Sequence, residues 1–237
     1  ALGLRPWAGM VLLMVCVYRP PLLATGQVQV KVLDVGQGLS VLLQTRSHQM
    51  LFDTGRGNAN SVVLPALQSV GLQEADALVL SHADADHDGA AASLLRQFRF
   101  RQIWAGQGEA YGHWSTHDCR GEAWQWDGVW FEWLTLPRSK VASTTNAQSC
   151  VLRVVTQGQA LLIPADTGKE EEAALLQQYG EQLHSTVLLL GHHGSSGSSS
   201  SAWLNAVAPK LAIASSGFRN SYHHPTEAVQ TRLRAHG

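Results

Sequence analysis

Ser81-His82-Ala83-Asp84-Ala85-Asp86-His87-Asp88-Gly89 packs five potential metal ligands into nine residues, directly after the apolar run 75–80. A buried strand that feeds a polar loop can aim several side chains at one point. Three carboxylates this close repel one another unless a cation neutralises them. Imidazole with carboxylate suits zinc, manganese or iron. A solvated helix N-terminus, where Asp is favourable in its own right, accounts for Asp84, Asp86 or Asp88. It does not account for His82 and His87 on either side of them.

The same arrangement of apolar strand and polar loop recurs at three more places. Asp53 follows Leu51-Phe52, Asp166 lies in Leu162-Ile163-Pro164-Ala165-Asp166-Thr167-Gly168, and His192-His193 follow Leu190-Gly191. Singly, each has an ordinary reading as a turn aspartate or a satisfied polar histidine. Together they describe ligands gathered along one edge of a sheet.

The rest of the chain supplies strands and helices at intervals. Val28, Val30 and Val32 alternate with polar residues and predict a strand, and 40–44 and 49–52 predict two more. Helical spacing covers 60–70, with Asn60 as its N-cap, and a second helix is expected from Asp88 to Phe98. Ile103-Trp104 reads as a short strand. Hairpins are expected around Asp127-Gly128 and Gln157-Gly158, and helices over 169–179, after the Gly/Ser loop 194–201, and over 226–235. Strands at 186–190 and 211–215 complete a pattern of two sheets sandwiched by helices.

The chain has 237 residues, 45% of them hydrophobic and 15% charged, enough for a sizeable core. Its formal net charge of -1 opposes a nucleic-acid binder that works by broad phosphate neutralisation. A bound metal supplies local positive charge regardless, so a nuclease is not excluded. Arg96, Arg99 and Arg101 form one basic set, and Lys210, Arg219, Arg232 and Arg234 another. Six of the eight tryptophans lie between 104 and 133, where they suit hairpin packing better than base stacking. Cys119 and Cys150 fit either one disulfide in an oxidising compartment or two unrelated buried thiols. Residues 1–25 stand apart: 7–18 are almost wholly apolar, then come Arg19, Pro20 and Pro21. The stretch reads as the end of a transmembrane helix and its linker, a signal-like segment or a buried helix, in that order of preference.

His-x-Asp-x-Asp-His after a strand resembles the His-x-His-x-Asp-His motif of the metallo-β-lactamase superfamily, with Asp84 in place of the second histidine. Leu33-Asp34-Val35-Gly36-Gln37-Gly38, Phe52-Asp53-Thr54-Gly55, residues 146–152, Asp166, His192-His193-Gly194-Ser195, Ser198-Ser199-Ser200 and residues 220–225 resemble one branch closely. That branch is the C-terminal domain of the ComEC family, the inner-membrane channel proteins of bacterial DNA uptake.

The resemblance implies an α/β fold, the metallo-β-lactamase αββα sandwich of two mixed sheets flanked by helices, over residues 26–237. It implies that 1–25 end the channel's last membrane helix, that the domain faces the periplasm, and that Cys119 and Cys150 are disulfide-bonded. It also implies a metal-dependent nuclease that degrades the non-imported DNA strand during natural transformation. Its partners would be DNA, single-stranded or being separated, and the rest of the channel.

Carried over residue by residue, His82 and Asp84 hold one ion. Asp86, His87 and one of His192 and His193 hold the other, Asp166 bridges them, and Asp53 supports the site, with Asp34 and Gln37 nearby. Asn146 stands where the family has a third histidine for the first ion, so one or two ions are expected. The added carboxylate favours manganese over zinc. Asp86 or Asp166 would orient the nucleophile. His193, Asn220, His223 and His224 are candidates for phosphate contact or leaving-group protonation, and Ser195 and Ser196 for hydrogen bonds to phosphate or a flexible loop. A small-molecule phosphodiesterase or lactonase of the same fold, and a non-catalytic binding or gating module with a vestigial metal site, are the competing functions.

Overall fold

The computed structural model describes residues 23–140 and 144–236; the apolar segment 7–18 lies outside them. Among the described residues, no helix is long and apolar enough to cross a membrane.

Among the described residues, twelve strands form two six-stranded mixed sheets. In the first sheet, β1 (Gln29–Val32), β2 (Val41–Gln44) and β3 (Gln49–Phe52) run antiparallel; β4 (Glu74–Leu80), β5 (Arg99–Ala105) and β6 (His117–Asp118) then add in parallel. The second sheet is built in mirrored order. The antiparallel run β7 (Trp124–Trp126), β8 (Val129–Trp133), β9 (Leu152–Thr156) and β10 (Gln159–Ile163) is followed by the parallel strands β11 (Val187–Leu189) and β12 (Leu211–Ile213).

Because successive side chains on a strand point to opposite faces, one run of apolar residues serves two cores. Val41, Leu43, Met50, Phe52, Ala77 and Val79 meet Phe131, Leu152, Val154, Leu161 and Ile163 of the other sheet. The intervening Leu42, Leu51, Leu78 and Leu80 pack outward on α1 (Val63–Ser69) and α3 (Ala91–Leu95). On the far side Leu162 and Leu188 pack on α4 (Lys169–Tyr179), α5 (Ser201–Val207) and α6 (Glu227–His236). Burial on both faces explains why these strands lack polar alternation. The layers are those of an αββα sandwich.

Several elements differ from expectation. Helix α1 starts at Val63 with Val62 as its cap, not at Asn60. The Asn58 side chain instead accepts the Asn60 N–H at 3.0 Å and holds a turn there. The helix expected from Asp88 is two short pieces, α2 (Ala85–Asp88) and α3, broken where the Ala90 N–H turns away to Gly55 O at 3.0 Å. Strand β5 is longer than Ile103-Trp104 because it pairs along the whole of β4, and β6 was not legible.

The Asp127-Gly128 hairpin forms, with both residues at positive φ (49° and 83°), as a primed two-residue turn requires. Trp104, Trp124, Trp126 and Trp133 pack on one another and on Phe131 against the inter-sheet core, so they are packing residues; of the hairpin's tryptophans Trp130 is the exposed one.

Cys119, just after β6, and Cys150, just before β9, are both fully buried and joined by a disulfide. It links the two sheets at one rim. The Cys150 N–H also donates to Ser81 O at 3.0 Å, so the link sits against the start of the ligand-rich loop.

Candidate metal centre

Strands β3 and β4 run parallel, as do β10 and β11. Side chains placed just beyond their C-terminal ends therefore emerge on one rim, where ligands gather in open parallel sheets. Asp53 follows β3, the Ser81–Gly89 loop follows β4, Asp166 follows β10, and His192-His193 follow β11. Asp53, Ala165, His192 and His193 all have left-handed backbone (φ 58°, 50°, 48° and 56°). Strain of this kind in non-glycine residues collects where a geometry is imposed for function.

His87 lies at the centre. Its Nδ1 is 2.7 Å from Asp53 Oδ2, and its Nε2 is 3.0 Å from Asp166 Oδ1 and 3.2 Å from His193 Nε2. The Asp53 carboxylate also accepts the Ser81 N–H and hydroxyl, both at 2.7 Å, so it is fixed in place where it orients His87. His193 Nδ1 donates to Ser215 O at 2.9 Å. A carbonyl only accepts, so a proton is on Nδ1 and Nε2 faces the cluster. This arrangement, one ring nitrogen committed to a fixed acceptor and the other free, is how histidine ligands are oriented.

Asp166 divides its oxygens. Oδ1 is 3.0 Å from His87 Nε2 and 3.5 Å from His193 Nε2; Oδ2 is 3.7 Å from His192 Nε2 and 4.0 Å from His82 Nε2. Asp84 Oδ2 is 3.5 Å from His82 Nε2, and Asp86 Oδ2 is 3.5 Å from His193 Nε2. Two groups have donor atoms close enough to share an ion: His82, His87 and Asp166, and Asp86, His87 and His193. The residues fit a cation on a further ground. His82 is wholly buried, and its Nε2 has no hydrogen-bond partner. A buried polar atom with nothing to bond is costly.

The electrostatics point the same way. Burial penalises the His87 cation, yet the carboxylates of Asp166 and Asp53 outweigh it and hold the imidazole well above its usual range. Burial would raise Asp166, but His87, then His193 and His82, keep it far below the ordinary carboxylate range. His193 beside Asp86 holds that carboxyl at about 2. His82, 3.5 Å away, lowers Asp84. The cluster is anionic and calls for positive charge.

Other expected residues take different places. His224 is half-buried, with its ring 6.5 Å from that of His193 and its Nδ1 3.3 Å from the Gln37 amide. Burial, then the neighbouring charges of His193 and His192, lowers its pKa. His223 is exposed and makes no contact with the cluster. Asn220 is not turned to the site: its amide donates to Gly217 O and His224 O at 2.9 and 2.7 Å and accepts from His224 N at 2.9 Å, which staples the loop.

Ser195 Oγ accepts the Gly197 N–H, and Ser196 is exposed. The Gly/Ser loop is not flexible in the manner of a linker. Ser198 Oγ donates to Gly191 O at 2.6 Å, and the Ser199 and Ser200 N–H groups donate to Glu172. Asp34 accepts the Gly36 N–H as a turn residue. Asn146 Oδ1 accepts from the Thr145 hydroxyl, and the turn it opens brings Ser149 Oγ to 3.4 Å from His82 Nδ1.

Gly38 passes so close to the loop that a Cβ there would lie 2.3 Å from Asp86 O. Arg99 and Arg101 sit at the opposite end of β4 and β5, beside Glu74, and Arg101 is paired with Glu74 at 2.6 Å, so that basic set does not face the cluster. Ser81, Tyr111 (hydroxyl to Asp88 Oδ2, 2.9 Å) and Ser215 support the loop without having been singled out. Only Ser81 carried a signal, by its place in the motif.

Over its full length the chain is 48% identical to competence protein ComA of Neisseria gonorrhoeae, covering 34% of that protein. With 86% of its length it is 35% identical to recombination protein 2 of Haemophilus influenzae, covering 26% of that protein. It thus spans about a third or less of these curated relatives. Among solved structures, Igni18, a metallo hydrolase from Ignicoccus hospitalis, superposes with a TM-score of 0.57 at 15% identity, over 88% of this chain and 92% of that one. A family model matches residues 33–217, from just after β1 to the loop after β12. With the sandwich and its rim of histidines and aspartates, that match establishes that the chain belongs to the metallo-beta-lactamase superfamily.

Proposed function

We propose that the chain is the metal-dependent nuclease domain of a bacterial DNA-uptake channel, hydrolysing phosphodiester bonds of the strand that is not imported. One observation carries this reading: His82, Asp86, His87, Asp166 and His193 converge on one rim, in a chain similar from end to end to a competence protein.

His82, Asp84 and Asp166 would hold one ion; Asp86, His87, His193 and Asp166 would hold the other. The second set has more buried donors and would bind more tightly, since His82's partner Asp84 is partly exposed and Asn146 is engaged with Thr145. A carboxylate-rich set favours manganese, with zinc also suited. An ion bound there supplies Lewis acidity toward the phosphoryl oxygen and brings a water's pKa towards neutrality.

The chain's own groups do the rest. Asp86 and Asp166 accept a hydrogen bond from the attacking water and fix its direction. His224 accepts from the Gln37 amide at Nδ1, so its proton is on Nε2 and available to a substrate phosphate oxygen. His87 and His193 are held in orientation by Asp53 and by Ser215 O.

The disulfide supports an oxidising compartment, and we place the domain on the periplasmic face of the inner membrane. Residues 1–25 would then be the membrane tether, and the rest of the channel the partner. The test is cleavage of plasmid and single-stranded DNA with added manganese, beside a His87→Ala control. Manganese-dependent cleavage lost in the control supports the reading. Cleavage of only a small chromogenic phosphodiester indicates a small-molecule hydrolase, and absence of bound metal by mass spectrometry indicates a non-catalytic module.

A further inference from the structure

Among the described residues four large apolar side chains are exposed: Trp130, Leu211, Phe218 and Tyr222. Single exposed apolar residues are ordinary, but two of these share the loop between β12 and α6, and Phe218 is 90% exposed. The loop is fixed by the Asn220 staple, so both rings are presented rather than trailing.

The loop also adjoins the metal cluster. Tyr222 stacks on His224 (centroids 5.5 Å apart, planes 27°), and His224 on His193 (6.5 Å, 24°). Rings therefore lead outward from the cluster to solvent. Phe218 lines two clefts, one beside Asp34 and His224, the other beside Gln37, Arg56 and Tyr222.

Two cations border this place. Arg101, Arg120, Arg138 and Arg153 are each paired with an acid. Among the described residues Arg56 and Arg219 have no acidic partner; the Arg219 guanidinium instead lies 5.2 Å from the centre of the Phe218 ring. Two exposed rings and two uncompensated cations flank a phosphodiester-cleaving site in a chain whose net charge is -1. Such a chain gains little from general phosphate neutralisation, so it needs a contact that phosphate alone does not supply. Unpaired bases offer open π-faces to aromatic rings; in a duplex those faces are covered by neighbouring pairs.

We propose that Phe218 and Tyr222 form a stacking platform for unpaired bases of single-stranded DNA, with Arg56 and Arg219 on the adjoining phosphates. This rests on the nuclease reading and names the form of DNA the site takes. Leu33, Ser216 and the rest of the cleft walls then frame a strand threaded toward the metals.

The experiment is fluorescence anisotropy of the full chain with manganese present and labelled phosphorothioate-linked strands, which resist cleavage. Three probes are compared: oligodeoxythymidine, an abasic strand of the same length, and a blunt duplex. Wild type should prefer the strand with bases. Phe218→Ala and Tyr222→Ala should each weaken that strand about tenfold or more while shifting the abasic strand less than about twofold, and Phe218→Trp should keep the preference. Trp130→Ala, far from the rim, should change nothing. Equal loss on both strands, or none, overturns the platform but leaves the nuclease reading intact when wild type still binds DNA. Wild type that binds metal and no DNA overturns both. Unchanged melting temperatures exclude misfolding as the cause.

Discussion

His87 and His193 face each other through their Nε2 atoms at 3.2 Å, each with its other ring nitrogen held by a fixed acceptor, Asp53 or Ser215 O. Two buried imidazole nitrogens this close, with Asp86 beside them, make a donor set that a divalent cation can occupy in place of the His87 proton. Manganese at about 100 times its dissociation constant should therefore raise stability by about 2.7 kcal/mol. His193→Ala should show little of this gain. Thermal melts with and without manganese, with metal content by mass spectrometry, check it.

Asp53 touches His87 but lies outside both ligand groups. Its substitution should act through ring orientation: Asp53→Ala is expected to weaken metal binding by about 10- to 100-fold without removing a donor. Titration calorimetry reads the loss. An unchanged affinity would show that His87 needs no support from it.

Proton and metal compete for His87. Its raised pKa means that the metal-free protein holds a proton there at neutral pH, and the ion must displace it. Apparent metal affinity should therefore rise with pH through neutrality, with proton release measurable in buffers of different ionisation enthalpy. Stability of the metal-free protein follows the opposite sign for this group. A histidine whose pKa is raised on folding contributes fully below its unfolded value and loses that contribution as pH climbs through the folded one. Asp166, depressed on folding, contributes above the ordinary carboxylate range and loses it toward acid. Metal-free protein should thus be most stable between the two, and metal-loaded protein should extend the range to higher pH.

The Cys119–Cys150 bond closes a loop with a sequence separation of 31. Its removal by Cys119→Ala/Cys150→Ala should cost about 3 kcal/mol of unfolding free energy, mostly through the freed unfolded chain. Urea denaturation measures this. Because the Cys150 backbone N–H donates to Ser81 O, backbone freed by the lost cross-link should loosen the ligand loop and lower metal affinity as well, which a purely entropic cross-link would not cause.

Much of this was legible because strands and ligands are coded locally. The alternation at Val28, Val30 and Val32, the Asp127-Gly128 turn and the His82–His87 spacing each declare themselves within a few residues. What was not legible depends on distant partners. His192 and His193 are adjacent in sequence, and only the fold shows that His193 is buried against Asp86 and Asp166 while His192 is partly exposed. Asn220 looks like a substrate residue until its amide is found closing its own loop. The break after Asp88 arises because Gly55, far upstream, takes the Ala90 N–H. Phe218 and Tyr222 carried no pattern, since exposure of single rings has no sequence period.

The donors come from both layers of the sandwich: His82, Asp86 and His87 from the rim of one sheet, Asp166 and His193 from that of the other. Neither layer alone offers a complete chelate. Expressed as separate fragments split in the β6–β7 connection, the two halves should each sequester manganese poorly and do so well once mixed, so ion capture would serve as a reporter of their assembly.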